Sequence, residues 1–105
     1  MAKRRLEIQI ETDCVNIAAA WGVPSVKLEK VKRSYPDRLF FVPGGRPLVV
    51  EFKVPGEAPR AQQTERIEML RRLDYRVVVV TDVAEFRRLL GGIIEAREGE
   101  AELRM

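Results

Sequence analysis

A glutamate and a lysine stand two positions apart in the strand-like run LVVEFKV, residues 48–54. Side chains alternate across a β-strand, so Glu51 and Lys53 share one face while Val50 and Phe52 share the other. A cross-strand charge pair explains this arrangement, and so does an active site that uses a carboxylate and an ammonium group together. The second explanation depends on whether further polar groups lie nearby.

A second carboxylate, Asp37, follows Pro36 at the start of the preceding run, PDRLFFV. The turn sequence PGGRP predicts an antiparallel hairpin, in which Asp37 and Glu51 converge at one end of the sheet. Converging carboxylates repel each other unless a cation lies between them, and Mg²⁺ prefers oxygen ligands. The backbone carbonyl of Phe52 could add a ligand, and Lys53 could orient or deprotonate a metal-bound water or stabilise charge on a phosphate.

The composition limits the available chemistry. The 105 residues include no histidine and one cysteine, Cys14, so imidazole catalysis and an internal disulfide are excluded. We expect Cys14 to be a small buried apolar residue on a helix. The net charge of +3 and the pI of about 9.4 suit an anionic partner without requiring one.

Hydrophobic periodicity predicts one α/β domain in the order helix, three strands, helix, strand, helix. Apolar residues recur at steps of three or four over residues 6–21, which predicts the first helix. Its apolar stripe consists of Leu6, Ile10, Cys14, Ile17 and Trp21. The runs PSVKLEKV, PDRLFFV and LVVEFKV predict the three strands. Residues 61–73 form the second helix, YRVVVVT is a strand buried on both faces, and Thr81 or Asp82 caps the last helix.

The domain core extends over about residues 6–90, and residues 91–105 form a charged tail. The weak pattern of this tail suits a frayed helix or a dimerisation segment. No signal peptide and no membrane-spanning run is visible, so we expect a soluble, intracellular protein.

Two helical positions bear on the predicted site. The apolar row of the second helix consists of Ile67, Leu70 and Leu73. It extends back one turn from Ile67 to Gln63, where an amide replaces a hydrophobe. On the first helix, Glu7 and Glu11 lie one turn apart beside the buried row.

The motifs PDRLFF and VVEFK, with the acid on the first helix and the downstream QQTERIEML, resemble the PD-(D/E)xK nuclease superfamily. They are most similar to its VRR-NUC branch, over about Glu7 to Leu90. The resemblance implies a restriction-endonuclease-like αβββαβ core, with a mixed central sheet flanked by helices.

The resemblance also implies roles for individual residues. Asp37 and Glu51 become ligands of Mg²⁺ or Mn²⁺, Lys53 the catalytic lysine and Gln63 the family glutamine. An acid on the first helix is implied to complete the metal shell. Glu11 is the first choice because it lies beside the buried row and closer to the sheet, and Glu7 is the alternative; the sequence leaves both open.

Two positions depart from the family pattern. Ser34 and Tyr35 stand where glycine is common before the PD pair, and Asp74 replaces a frequent glycine after the second helix. Asp74 tolerates a left-handed backbone conformation. Neither departure removes a catalytic group. We therefore expect both departures to affect the approach of a substrate more than the chemistry.

Basic residues surround the predicted site. Lys30, Lys32 and Arg33 precede Asp37, and Arg38 follows it. We expect these four to contact the DNA backbone without reading its sequence.

The expected function is that of a metal-dependent DNA endonuclease. The resemblance implies a structure-specific enzyme similar to Holliday-junction resolvases, acting on branched or flap DNA in replication or repair. It also implies a homodimer in the cytoplasm of a bacterium or a phage-infected cell. The alternative is a nucleic-acid-binding module of the same fold that is non-catalytic or depends on a partner.

Overall fold

The computed structural model describes residues 2–29 and 34–104, and the side chains of residues 2–29 and 34–98. Its elements follow the predicted order. They are α1 (Ala2–Ala20), β1 (Ser25–Lys27), β2 (Arg38–Phe40), β3 (Leu48–Phe52), α2 (Ala61–Arg72), β4 (Arg76–Val80) and α3 (Val83–Arg104). The α/β fold class and the αβββαβ core are therefore confirmed.

The four strands form one mixed sheet in the order β1-β2-β3-β4. The first three strands are antiparallel neighbours, as the PGGRP turn predicts, and β4 runs parallel to β3 after the α2 crossover. Arg38 pairs with Val50, so continuing the ladder by one residue brings Asp37 beside Glu51. This register positions the candidate site.

Helices cover both faces of the sheet. The α1 and α3 helices pack on one face, where the Phe40 and Phe86 rings lie 5.1 Å apart. On the other face, Ile67 of α2 packs against Val49 and Val77. The predicted inward position of Leu73 is wrong, because α2 ends at Arg72 and the Leu73 side chain is 62% exposed. The residues of the central strands are mostly apolar because helices bury both faces of the sheet.

The buried face of α1 differs from the predicted stripe. Ile10, Cys14 and Ala18 are buried at steps of four, whereas Leu6 and Trp21 are 49% and 39% exposed. The helix also begins at Ala2, four residues before its predicted start. Burial of Cys14 confirms the structural reading of this thiol, and it raises the thiol pKa to about 12.

Helix ends and turns follow their local chemistry. Asp82 Oδ1 accepts the Ala84 N–H at 2.9 Å and caps α3, as predicted. Asp74, at φ 70°, adopts the left-handed conformation that its side chain tolerates. The β1 strand ends at Lys27, so Leu28 and Glu29 of the predicted strand lie beyond its end, and residues 30 and 31 of that prediction lie outside the described residues.

The predicted tail continues α3 as far as Arg104. Within it, Ile93 and Ile94 pack against the core, because the helix stays in contact with the sheet beyond Leu90. No helix in the described ranges is long and apolar enough to cross a membrane.

Candidate active site

Asp37 and Glu51 form the centre of the candidate site. They are 6% and 1% exposed, so neither carboxyl group reaches bulk water freely. Asp37 Oδ2 accepts the backbone N–H of Phe52 at 2.7 Å, which ties the start of β2 to the end of β3. The predicted convergence of the two acids is therefore present in the fold.

Glu51 has one paired and one unpaired oxygen. Its Oε2 accepts Gln63 Nε2 at 2.9 Å and lies 3.4 Å from Lys53 Nζ. Its Oε1 is buried and has no hydrogen-bond partner among the described residues. A buried carboxylate oxygen without a donor is costly, so a bound cation would supply what the protein does not.

The α2 terminus orients Gln63. Its Oε1 accepts the backbone N–H of Arg60 at 3.0 Å, as the third residue of a helix does in a capping box. This bond turns the amide N–H₂ toward Glu51. The polar residue on the apolar row of α2 thus fixes the Glu51 carboxyl group.

Lys53 lies just beyond β3, where its backbone N–H donates to the carbonyl of Val80 at 3.0 Å. Its side chain is 15% exposed and lines a cleft of about 390 Å³ that Arg4 and Glu7 of α1 also line. The ammonium group therefore faces both Glu51 and space that a substrate could enter.

Burial raises the pKa of both central acids. The pKa of Asp37 rises to about 7, first because burial penalises the charged form and then because Glu51 repels it. An interaction with Glu29 raises it further, while the Phe52 N–H opposes the shift. The pKa of Glu51 is raised mainly by burial, and Lys53 opposes this rise.

Glu11, the first choice for the third acid, is engaged elsewhere. Lys27 Nζ and Arg38 Nε each lie 2.7 Å from its Oε2, in a partly buried ion-pair network. These two cations neutralise the carboxylate, so Glu11 acts as the counter-ion of Lys27 on β1 and Arg38 on β2.

Glu7, the alternative, faces the site more directly. Its negative charge contributes to the raised pKa of Glu51, and it lines the same cleft as Lys53. Glu7 makes no hydrogen bond or ion pair with any side chain that the structure describes. Its carboxylate is thus available in a way that the Glu11 carboxylate is not.

The donor set fits a hard divalent ion bound by few protein ligands. No group of three acid, histidine or cysteine side chains stands ready to hold a metal within the described ranges. Asp37 and Glu51 still offer two buried carboxylates, one with the unpaired Oε1. Mg²⁺ commonly binds through one or two carboxylates and keeps several waters, so this pair suffices as a site.

Of the four residues predicted to contact DNA, the structure describes only Arg38. Lys30, Lys32 and Arg33 lie outside the described residues. Arg38 is 22% exposed, pairs with Glu11 and donates to Ser25 Oγ at 3.2 Å. Its guanidinium group is turned toward α1, and its contact with DNA stays a prediction.

Sequence reasoning missed two residues around the site. Glu29 interacts with Asp37, and Arg4 lines a polar cleft of about 640 Å³ together with Gln63. The alternation of side chains along the predicted strand PSVKLEKV is a weak signal for Glu29. No local pattern marks Arg4, because its proximity depends on how α1 crosses the sheet.

No protein-family model matches the chain, and no curated protein matches it. A solved structure described as a VRR_NUC domain is similar to it at a TM-score of 0.73 and 25% sequence identity. The alignment covers 82% of this chain and 95% of that structure. The chain folds as a VRR-NUC domain. The resemblance that the PDRLFF and VVEFK motifs indicate thus extends to most of the chain.

The VRR-NUC fold is that of a nuclease family. In this domain, Asp37, Glu51, Lys53 and Gln63 come together at one end of the sheet. Their elements are the β2–β3 hairpin and the first turn of α2.

Proposed function

We propose that this VRR-NUC domain is a metal-dependent endonuclease that hydrolyses phosphodiester bonds in DNA. The observation that carries the proposal is the buried Glu51 Oε1, which has no partner although Asp37 stands beside it and Lys53 and Gln63 bind the other oxygen. Such an arrangement costs stability, and binding a divalent cation offsets that cost.

Asp37 and Glu51 would hold Mg²⁺ or Mn²⁺, with the Phe52 carbonyl as a further ligand. Bound there, the metal would lower the pKa of a coordinated water and neutralise charge on the phosphate. Gln63 keeps the Glu51 carboxyl group oriented through its own bond to the α2 terminus. This orientation requires no rearrangement when substrate arrives.

Lys53 would act on the phosphate. In hydrolysis a water oxygen forms a bond to phosphorus, a bridging P–O bond breaks, and the leaving oxygen gains a proton. Negative charge grows on the phosphoryl oxygens along this path. The Lys53 ammonium group, held 3.4 Å from Glu51 and facing the cleft, stabilises that charge.

Branched DNA, the homodimer and a role in replication or repair are the finer parts of the proposal and derive from the family resemblance. Ile8, Val26 and Phe41 are apolar side chains exposed on the surface. A dimer would cover such side chains and provide two active sites for paired cuts.

The test is cleavage of labelled four-way junction, flap, single-stranded and plain duplex DNA with Mg²⁺, Mn²⁺ or EDTA. We expect metal-dependent cutting that Lys53→Met lowers by about 10²–10³-fold, the effect of removing one charge-stabilising group. Arg72→Met removes an exposed positive charge at the far end of α2 and is the matched control. The ranking of the four DNAs separates a junction resolvase from a flap or general nuclease.

The opposite outcome is equally clear. If the wild type binds these DNAs but cuts none of them with either metal, the domain is a nucleic-acid-binding module or needs a partner for catalysis.

A further inference from the structure

A basic pocket lies away from Asp37 and Glu51. A pocket of about 520 Å³ is formed by the loop after β2, the start of β4 and the middle of α3. Four arginines line it: Arg46, Arg76, Arg88 and Arg97. None of the described residues that line it is acidic. Positive charge concentrated around one cavity favours an anionic ligand.

The pocket is separate from the candidate active site. Arg76 pairs with Leu48 at the start of β3, whereas Val79 pairs with Glu51, about 10 Å further along the strands. Arg76 shares the sheet face of Val80, which packs with α1 and α3, while Glu51 binds Gln63 of α2 on the other face. The two sites occupy opposite ends and opposite faces of the sheet.

Arg76 carries the strongest sign of a missing ligand. Its Nη1 is buried and has no hydrogen-bond partner among the described residues. A buried guanidinium nitrogen without an acceptor loses its hydration and gains nothing in return. An oxyanion would supply that acceptor, and Arg76 lines the pocket that such an anion would enter.

Arg46 is held in place for such a ligand. Its Nε donates to the Asp74 carbonyl at 3.1 Å and its Nη2 to Asp74 Oδ1 at 3.3 Å. The Asp74 side chain is 95% exposed, so water screens its charge and it neutralises Arg46 only weakly. Arg46 is therefore oriented while it keeps most of its charge.

Arg88 and Gly92 complete the pocket on α3. Arg88 is exposed, with no hydrogen bond or ion pair to any side chain that the structure describes. A Cβ at Gly92 would meet no atom within 4 Å, so glycine leaves the floor of the pocket open. The apolar side chains of Leu89 and Ile93 also line the pocket.

We propose that this pocket binds a phosphate group. Guanidinium groups form paired, charge-assisted hydrogen bonds to phosphate oxygens, and several arginines can share one tetrahedral anion. The source we infer, which rests on the proposed function, is the backbone of a nucleic-acid segment other than the one at Glu51. The opposite placement of the sites requires two segments, as a branched substrate provides.

The pocket itself is tested with inorganic phosphate and the full chain in EDTA, against sodium chloride of equal ionic strength. We expect phosphate to raise the Tm of the wild type and of Arg87→Glu by the same amount. Arg88→Glu and Arg76→Met lose this rise. Arg87 is the matched control, because it lies over the Trp21 ring at 5.9 Å, outside the pocket, and its replacement makes the same charge change on the same helix. Equal shifts in all four proteins would overturn the proposal.

The nucleic-acid source is tested by fluorescence anisotropy, again in EDTA. We expect Arg88→Glu to weaken four-way-junction binding at least fivefold more than Arg87→Glu, and to reduce the salt slope by about one for the lost phosphate contact. If the phosphate shift depends on Arg88 but junction affinity does not, the pocket binds a small phosphate compound and the DNA source is wrong. Neither measurement involves cleavage, so loss of the nuclease proposal leaves both results interpretable.

Discussion

Asp37 is the residue in which function and stability conflict most clearly. Its carboxyl group is buried beside Glu51, and its one backbone donor, the Phe52 N–H, does not offset the burial. The pKa therefore rises to about 7 from an ordinary value of 3.8. The folded protein holds a proton over a pH range in which the unfolded chain has lost it.

This shift predicts how stability depends on pH. Stability falls as pH rises from about 4 to about 7, because only the folded state must pay for charging Asp37. Asp37→Asn removes that charge and keeps an oxygen for the Phe52 N–H. In EDTA at pH 8 we expect this variant to be more stable than the wild type by about 1–3 kcal/mol, and inactive. Urea unfolding at pH 4 and pH 8 measures both differences.

The same comparison contains its control. The difference between the two proteins should nearly vanish at pH 4, where Asp37 is protonated in the folded state. A constant difference at both pH values would mean that packing, not charge, distinguishes Asn from Asp at this position.

At the scale of elements, Glu7 and Glu11 lie in one row of α1, one helical turn apart, so they reach different positions along the sheet. Glu11 meets Lys27 of β1 and Arg38 of β2, whereas Glu7 lies one turn closer to the end where Lys53 and Glu51 stand. The helix thus contacts the β1–β2 hairpin through Glu11 and approaches the candidate active site through Glu7.

This division predicts opposite effects for two matched variants. Glu11→Gln should cost about 1–3 kcal/mol of stability, because Lys27 and Arg38 lose a partly buried counter-ion. Glu7→Gln should leave stability nearly unchanged and weaken metal-dependent cleavage, since it removes negative charge beside Glu51. Urea unfolding and cleavage rates as a function of Mn²⁺ concentration provide the two readouts. If Glu11→Gln is stable and loses metal response while Glu7→Gln keeps it, Glu11 is the third ligand.

At the scale of the whole molecule, the candidate active site and the proposed phosphate pocket lie on opposite sides of the sheet. Helices α1 and α3 cover the face that carries Arg76, and α2 covers the face that carries Glu51. The strands between them are short, so both features lie near sheet ends and open to solvent through clefts.

Divalent cations should stabilise the fold as a unit. A ligand at 100 times its Kd adds about 2.7 kcal/mol, which raises the Tm of a domain of this size by roughly 10–20 °C. We expect Mg²⁺ or Mn²⁺ to raise the wild-type Tm at pH 8 relative to EDTA, and Asp37→Asn or Glu51→Gln to lose the rise. Differential scanning calorimetry measures it, and equal rises in all three proteins would place the metal elsewhere.

Much of the fold and part of the site follow from the sequence alone. Period-two alternation places Glu51 and Lys53 on one face, and the PGGRP turn brings Asp37 beside Glu51. The apolar row of α2 points Gln63 inward. These predictions depend on local periodicity and on one short turn, which few residues determine.

Only the tertiary structure decides the remaining features. Glu7 and Glu11 share one helical row, so the choice between them depends on the position of α1 along the sheet. Packing around Ile10 and Ala18 sets that position. The pocket around Arg76 brings together residues from a loop, a strand and a helix. Such meetings depend on crossing angles and on contacts between distant parts of the chain, and no local pattern encodes them.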